Sequence, residues 1–367
     1  MIIFRNKILI AYIILFTFYR IGLTSELFYL GIISLVIFSI IGNNYKIKME
    51  SFLLILTKYT TFAILISIFF LKVDILFYKQ LLKEMVLILL PFIISNVFIM
   101  GRNNEQRNKI LNLLFVSHLV IYVLEMYMKG QLFSMSFLQI DDISNSDYES
   151  ESSLAFVFGL FFIYYITIDT EIKYKKIFIV LSIILVLLSG KRIVLIGSLI
   201  SILFYYLYPK KLVKLIPALA VIANVLYVYF IYSFSNGDYD DIIYNLLGVN
   251  SNQISMGRQY VYESYFQKYP ISITPYGLGN AVVFLQINSF KLHNLHSDII
   301  KYSSEYGMFI FSAYYYLTYN VLKKDKLLLG ILLYNNILML SDNVSVYVFY
   351  LILMYLILII VNKSNEP

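Results

Sequence analysis

Apolar residues gather along this chain into long runs separated by short polar connections. They fall at about 8–21, 23–41, 51–71, 84–100, 110–128, 152–168, 177–190, 192–208, 214–234, 297–319, 327–341 and 344–361. Roughly 20 apolar residues in a helix cross the hydrocarbon of a bilayer, so the pattern predicts an all-α, polytopic transmembrane helix bundle of about 12 spans. The 367 residues read as a single integral membrane domain, 1–367. The first run and the two flanking Gly190 are short, as expected of helices that tilt little or break beside a polar site.

Composition strengthens this picture: 60% of residues are hydrophobic, 14% are charged, and the mean hydropathy is +0.77. With no cysteine, neither a disulfide framework nor a thiolate metal site is expected. The net charge of +7 sits in short loops between apolar runs, which reads as membrane topology and not as a nucleic-acid footprint. Counted over alternate connections, Lys and Arg number seventeen on one side and ten on the other. Positive residues stay on the cytoplasmic side, so both termini are expected there. Arg5 and Lys7 precede the first run and no small-residue cleavage site follows it, so that run reads as a retained span.

This orientation places two longer loops outside. Lys129 to Glu151 is acidic and polar, and is expected to be a mobile, solvated connection. The stretch at about 235–291, between the ninth and tenth spans, is too long for a simple connection and predicts a large, partly helical outer loop, periplasmic if the membrane is a bacterial inner one. Within it, Tyr262, Tyr265 and Tyr269 recur at helical spacing after Arg258, with Val261 and Phe266 beside them. That spacing predicts an amphipathic helix on the membrane interface, ended by Pro270.

Several polar residues are not accounted for by topology. Lys191 and Arg192 stand between two apolar runs with almost no loop to hold them. They read either as snorkelling cations at a helical hairpin or as an anion clamp, since guanidinium groups recognise phosphates through paired hydrogen bonds. Arg258 adds a second outside cation at a helix start, where backbone N–H groups would also face an anion. His293 and His296 lie three apart, so a helix extended backwards from Ile299 would set them on one face, and imidazole suits general-base work. Beyond them Lys301, Ser303, Ser304 and Glu305 carry polarity into a span, which is costly unless these groups face protein or a wet cavity. Glu305, nine residues past His296, would point to the opposite face and reads as a structural hydrogen-bonding group.

Three weaker signals have plainer readings. His118 and Glu125 share a face of the fifth span and read as a packing seam. Asp238-Tyr239-Asp240-Asp241 matches a short acidic metal-binding pattern but is unspecific in a polar turn. Asp342, at the outer end of the eleventh span, is placed to pair with an outside cation.

Taken in order, SGKR between spans, GR before an aromatic stretch, P-x-G-x-G (Pro275, Gly277, Gly279), then H-S-D followed by S-E-Y-G, resembles the O-antigen polymerase and O-antigen ligase family of bacterial envelope proteins. The resemblance covers most of the chain, and its motifs are short. It implies about twelve spans and glycosyl transfer on the periplasmic side between undecaprenyl-diphosphate-linked oligosaccharides, as donor and acceptor, with no metal or other cofactor. It carries the family histidine onto His296 and the family arginines onto Arg192 and Arg258, with Lys191 a less constrained neighbour. Ser297 stands where the family often has asparagine. On this reading Arg192, Arg258 and Lys191 hold the diphosphate and His296 takes the acceptor proton, with His293, Tyr262 and Glu305 as supporting residues. A polymerase is expected first and a ligase that hands glycan to lipid A core second, with a chain-length regulator and a flippase as partners. From another class, a transporter of lipid-linked oligosaccharide also suits buried charges and many spans.

Overall fold

The computed structural model describes residues 2–22, 24–42, 51–69, 75–99, 102–128, 152–168, 172–255, 257–290 and 294–364. Among them every regular element is helical. The order opens with α1 (Ile2–Ile21), α2 (Ser25–Gly42), α3 (Ser51–Phe69), α4 (Ile75–Ile99) and α5 (Asn104–Met128). Next come α6 (Ser152–Thr167), α7 (Lys175–Leu188), α8 (Arg192–Leu207) and, after a 3-10 stretch at Lys210–Leu215, α9 (Ile216–Ser235). Four short helices follow: α10 (Asp240–Leu247), α11 (Ser251–Ile254), α12 (Arg258–Lys268) and α13 (Asn280–Ile287). The order closes with α14 (Asp298–Glu305), α15 (Gly307–Leu322), α16 (Lys326–Ser341), a 3-10 turn at Val344–Val346, and α17 (Val348–Ser364).

A helix thus lies on every apolar run of the sequence, and the stretch between α9 and α14 is partly helical. Three helical stretches among the described residues are long and apolar enough to cross a membrane: Tyr78–Ile99, Asn104–Met128 and Lys210–Ser235. Helix α4 starts earlier than its apolar run, so Lys79, Lys83 and Glu84 are helical and do not belong to a connection. The acidic stretch Lys129–Glu151 lies outside the described residues.

The middle of the bundle is built on α6 and α17, which are apolar on all sides and buried along almost their whole length, as expected of helices surrounded by other helices. Small residues set how closely their neighbours approach. A Cβ on Gly159 of α6 would stand 2.2 Å from the Tyr334 hydroxyl of α16 and 2.7 Å from Val194 of α8. The Tyr334 hydroxyl instead donates to the Phe156 carbonyl at 2.9 Å. Between α9 and α16, Asn224 and Asn336 exchange two side-chain hydrogen bonds at 3.0 and 2.9 Å, which satisfies both buried amides. The outward faces of α2, α8 and α9 carry exposed Phe38, Leu203 and Leu226, the surface expected where lipid is the solvent.

One expectation about the 235–291 stretch changes. Helix α12 forms and ends before Pro270, but its apolar side is not free for an interface: Val261, Tyr262, Tyr265 and Phe266 are buried, with Phe266 edge-on to Tyr232 of α9 and Tyr265 edge-on to Phe284 of α13. The helix with the unpartnered apolar side is α10, which exposes Ile242, Leu246 and Leu247 and buries none of its residues.

Candidate functional site

The chain around the candidate histidine is shaped by a break in the tenth apolar run. Helix α14 stops at Glu305, and α15 restarts at Gly307, whose φ of +71° favours glycine. A Cβ there would stand 2.4 Å from the Ile273 carbonyl oxygen, because the Pro/Gly-rich segment 270–279 is laid directly against the break. Three backbone hydrogen bonds fasten it: Met308 N–H to the Ser272 carbonyl at 2.9 Å, Tyr276 N–H to Ser304 at 3.1 Å, and Gly277 N–H to Glu305 at 3.2 Å. Polar backbone freed by the break is therefore satisfied within the protein. The two glycine-bearing motifs of the sequence are one interlocked structure.

Histidine 296 precedes this assembly. The expected extension of the helix back to His296 does not form: α14 begins at Asp298, with Ser297 as its cap accepting from the Ile300 N–H at 3.3 Å. His296 instead takes a φ of +54°, in the left-handed region that costs a non-glycine residue about 1–2 kcal/mol. The strain is held from both sides. Leu295 is buried, Ser297 donates to the Met339 carbonyl at 3.3 Å, and the Asp298 N–H donates to the Asp342 carbonyl at 3.2 Å. His293 and Lys291 lie outside the described residues.

Arg258 is the first residue of α12, after Gly257 at a φ of +80°. Gln259 pins this end, donating to the Phe234 carbonyl at 3.0 Å and to Asp240 at 2.9 Å, which gives Asp240 of the acidic turn a structural task. The first N–H groups of α12 are already used: Arg258 donates to Ser255, Gln259 to the Ser255 hydroxyl, and Tyr260 to Asn252. Contrary to the expectation from helix position, positive charge here comes from the guanidinium and not from free backbone donors.

Arg258, Tyr262 and His296 line one open cavity of about 200 Å³, closed on other sides by Tyr227 and Ile231 of α9 and by Leu340 and Ser341 of α16. The Tyr227 hydroxyl donates to the Leu340 carbonyl, which braces α9 against the end of α16. Burial pushes the Tyr262 phenol well up, Arg258 pulling the other way, so Tyr262 presents a neutral hydroxyl. A cation, an imidazole and a phenol from separate elements therefore share one concave space.

Lys191 and Arg192 part company. Lys191 caps α8 after Gly190, reaches Asp342 in an ion pair, and sits over the Phe156 ring at 4.5 Å from its centroid. Asp342 follows the cavity-lining Ser341, so this pair stands beside the cavity, with the ammonium already engaged. Arg192 opens α8, is exposed, and does not line the cavity.

Behind the cavity lies a set of buried charges. Lys301 meets Glu84 of α4 at 2.7 Å, and Gln80 donates to Glu84 at 2.9 Å. Asp298 accepts two hydrogen bonds from Ser345, N–H and hydroxyl, each at 2.7 Å. Glu305 accepts from the Ala281 N–H at 3.1 Å, is fully buried and does not line the cavity. His118 and Glu125 serve packing: His118 bonds the Leu114 carbonyl and rests against Phe16, while Glu125 holds Arg20 at 2.5 Å.

Sequence reasoning passed over Tyr227, which has no motif around it, and Glu84, whose signal was a lone carboxylate at the edge of an apolar run. No family model, no curated protein and no solved structure matches this chain.

Proposed function

We propose that the protein is a membrane glycosyltransferase joining lipid-diphosphate-linked oligosaccharides at the extracytoplasmic face of a bacterial inner membrane, in the manner of an O-antigen polymerase. The observation that carries this reading is the shared cavity of Arg258, Tyr262 and His296. On this reading the bundle has about 12 spans and the cavity opens at the outer leaflet.

The acceptor sugar hydroxyl attacks the anomeric carbon of the donor, and the bond from that carbon to the diphosphate oxygen breaks. The hydroxyl proton passes to His296, and the lipid diphosphate leaves with the bonding electrons. Arg258 stabilises the charge that develops on it, where a preorganised donor is worth about 10²–10³ in rate. A positioned general base adds about 10²–10⁴. Tyr262, held neutral by burial, offers a hydroxyl donor to the leaving oxygens or the sugar. Lys191 is neutralised by its ion pair with Asp342, and Arg192 is exposed outside the cavity lining, so on this reading the diphosphate rests on Arg258.

Replacing Arg258 or His296 by alanine in producing cells tests this reading. The expected result is lipid A core carrying a single repeat, with the protein inserted at normal levels. Unchanged polymer length and yield would refute the assignment, and loss of all attached repeats would identify a ligase.

A further inference from the structure

A second concave site lies between α1 and α5, far along the sequence from the residues of the proposed reaction. It encloses about 320 Å³. Its two ends differ in chemistry. At one end stand Arg102 and Lys109 with the amide side chains of Asn6 and Gln106. Arg102 donates to Asn6 at 2.9 Å, which fixes the guanidinium across the starts of both helices. Among the described residues Lys109 pairs with exposed Glu105, at 2.6 Å, with both side chains more than 70% exposed, a pair that water already weakens.

The other end is apolar. Leu9 and Ile110 are buried in its floor, while Ile10 and Leu113 form walls and are themselves 53% and 46% exposed, so the groove opens sideways. Both helices begin at the basic end and run inward toward the apolar end. The basic end lies where α5 follows α4, two helices that contain stretches long and apolar enough to cross a membrane. The basic end is therefore at headgroup depth and the apolar end at acyl-chain depth.

We infer that this groove binds an anionic phospholipid, its phosphate held by Arg102 and Lys109 and one acyl chain lying along Leu9, Ile10, Ile110 and Leu113. Charge selects the headgroup, and the lateral opening admits a chain that a soluble anion lacks. Basic pockets between membrane helices commonly take such headgroups.

The test uses the full chain in detergent with phosphatidylglycerol and phosphatidylethanolamine of matched acyl chains, read by native mass spectrometry. Wild type is expected to retain phosphatidylglycerol preferentially. Replacing both cations, Arg102→Gln with Lys109→Gln, is expected to lower that preference about thirtyfold, at roughly one surface cation's worth of attraction each. Leu113→Trp, which fills the apolar end and leaves the cations in place, is expected to reduce retention of both lipids and guards against a misfolded double variant. Equal retention of the two lipids by wild type, or full retention in both variants, would overturn the inference. Displacement of the lipid by millimolar inorganic phosphate alone would also overturn it, showing a site for a free anion.

Discussion

The ammonium of Lys301 meets the carboxylate of Glu84 at 2.7 Å where each side chain is 1% exposed. The pair crosses from α14 to α4 and lies one helical turn from Asp298, whose backbone N–H is fastened to the end of α16 beside the cavity. A buried pair of this kind is costly to break, because removing one partner strands the other charge. Glu84→Ala or Lys301→Ala is expected to lower stability by about 3–5 kcal/mol, whereas Glu84→Leu with Lys301→Met together is expected to cost much less. Thermal unfolding in detergent reads both. A loss in the double variant equal to the sum of the two single losses would show that the pair is not a unit.

Gly307 and Gly279 make a contrasting pair. Both have positive φ, +71° and +88°, but a Cβ at Gly307 meets backbone at 2.4 Å while one at Gly279 first meets a side-chain atom, Gln80 Cγ, at 2.9 Å. Gly307→Ala is expected to cost more than the about 1–2 kcal/mol of the backbone conformation alone, and Gly279→Ala to stay nearer that range. Protease sensitivity of the segment 270–279, compared between the two variants, checks the order.

Lys191 and Asp342 are each partly exposed, so their ion pair is discounted for solvent. A double-mutant cycle with Lys191→Ala and Asp342→Ala is expected to give a coupling of about 1 kcal/mol in unfolding free energy. Additive effects would contradict the pairing.

Tyr262 and Tyr265 are buried phenols of α12 whose pKa values burial raises above the ordinary 10.0. Their raised values favour the neutral form in the folded state, so the stability they contribute is full below about pH 10 and is lost as pH rises from there toward the folded values. Near-ultraviolet absorbance is expected to show these phenols ionising together with loss of structure at alkaline pH. Tyr262→Phe is expected to flatten part of that pH dependence, and an unchanged profile would contradict the burial.

The helices were legible in the sequence because lipid-length apolar runs leave few alternatives, and a helix falls on each run. Helix starts were not legible where charge lies inside a helix: Lys79 and Lys83 fall before the apolar run, yet α4 begins ahead of them, and Glu84 meets Lys301 across the bundle. His296 and Arg258 could be singled out as polar interruptions, and the cavity brings them together. The geometry of His296 could not be read, since helical spacing from His293 assumed a helix that Ser297 instead begins. Arg192 and Lys191 look equivalent as neighbours, yet a turn and a distant carboxylate, Asp342, give them different surroundings. Such long-range partners leave no local trace in a single chain.

The most direct measurement of the proposed chemistry is made with purified protein in detergent or nanodiscs, supplied with lipid-diphosphate-linked oligosaccharide repeats. The account predicts conversion to longer lipid-linked chains, with the rate reduced about 10²–10³-fold in Arg258→Ala and about 10²–10⁴-fold in His296→Ala while both variants remain folded. Absence of chain extension by the folded wild-type protein, or extension at full rate by either variant, would contradict it.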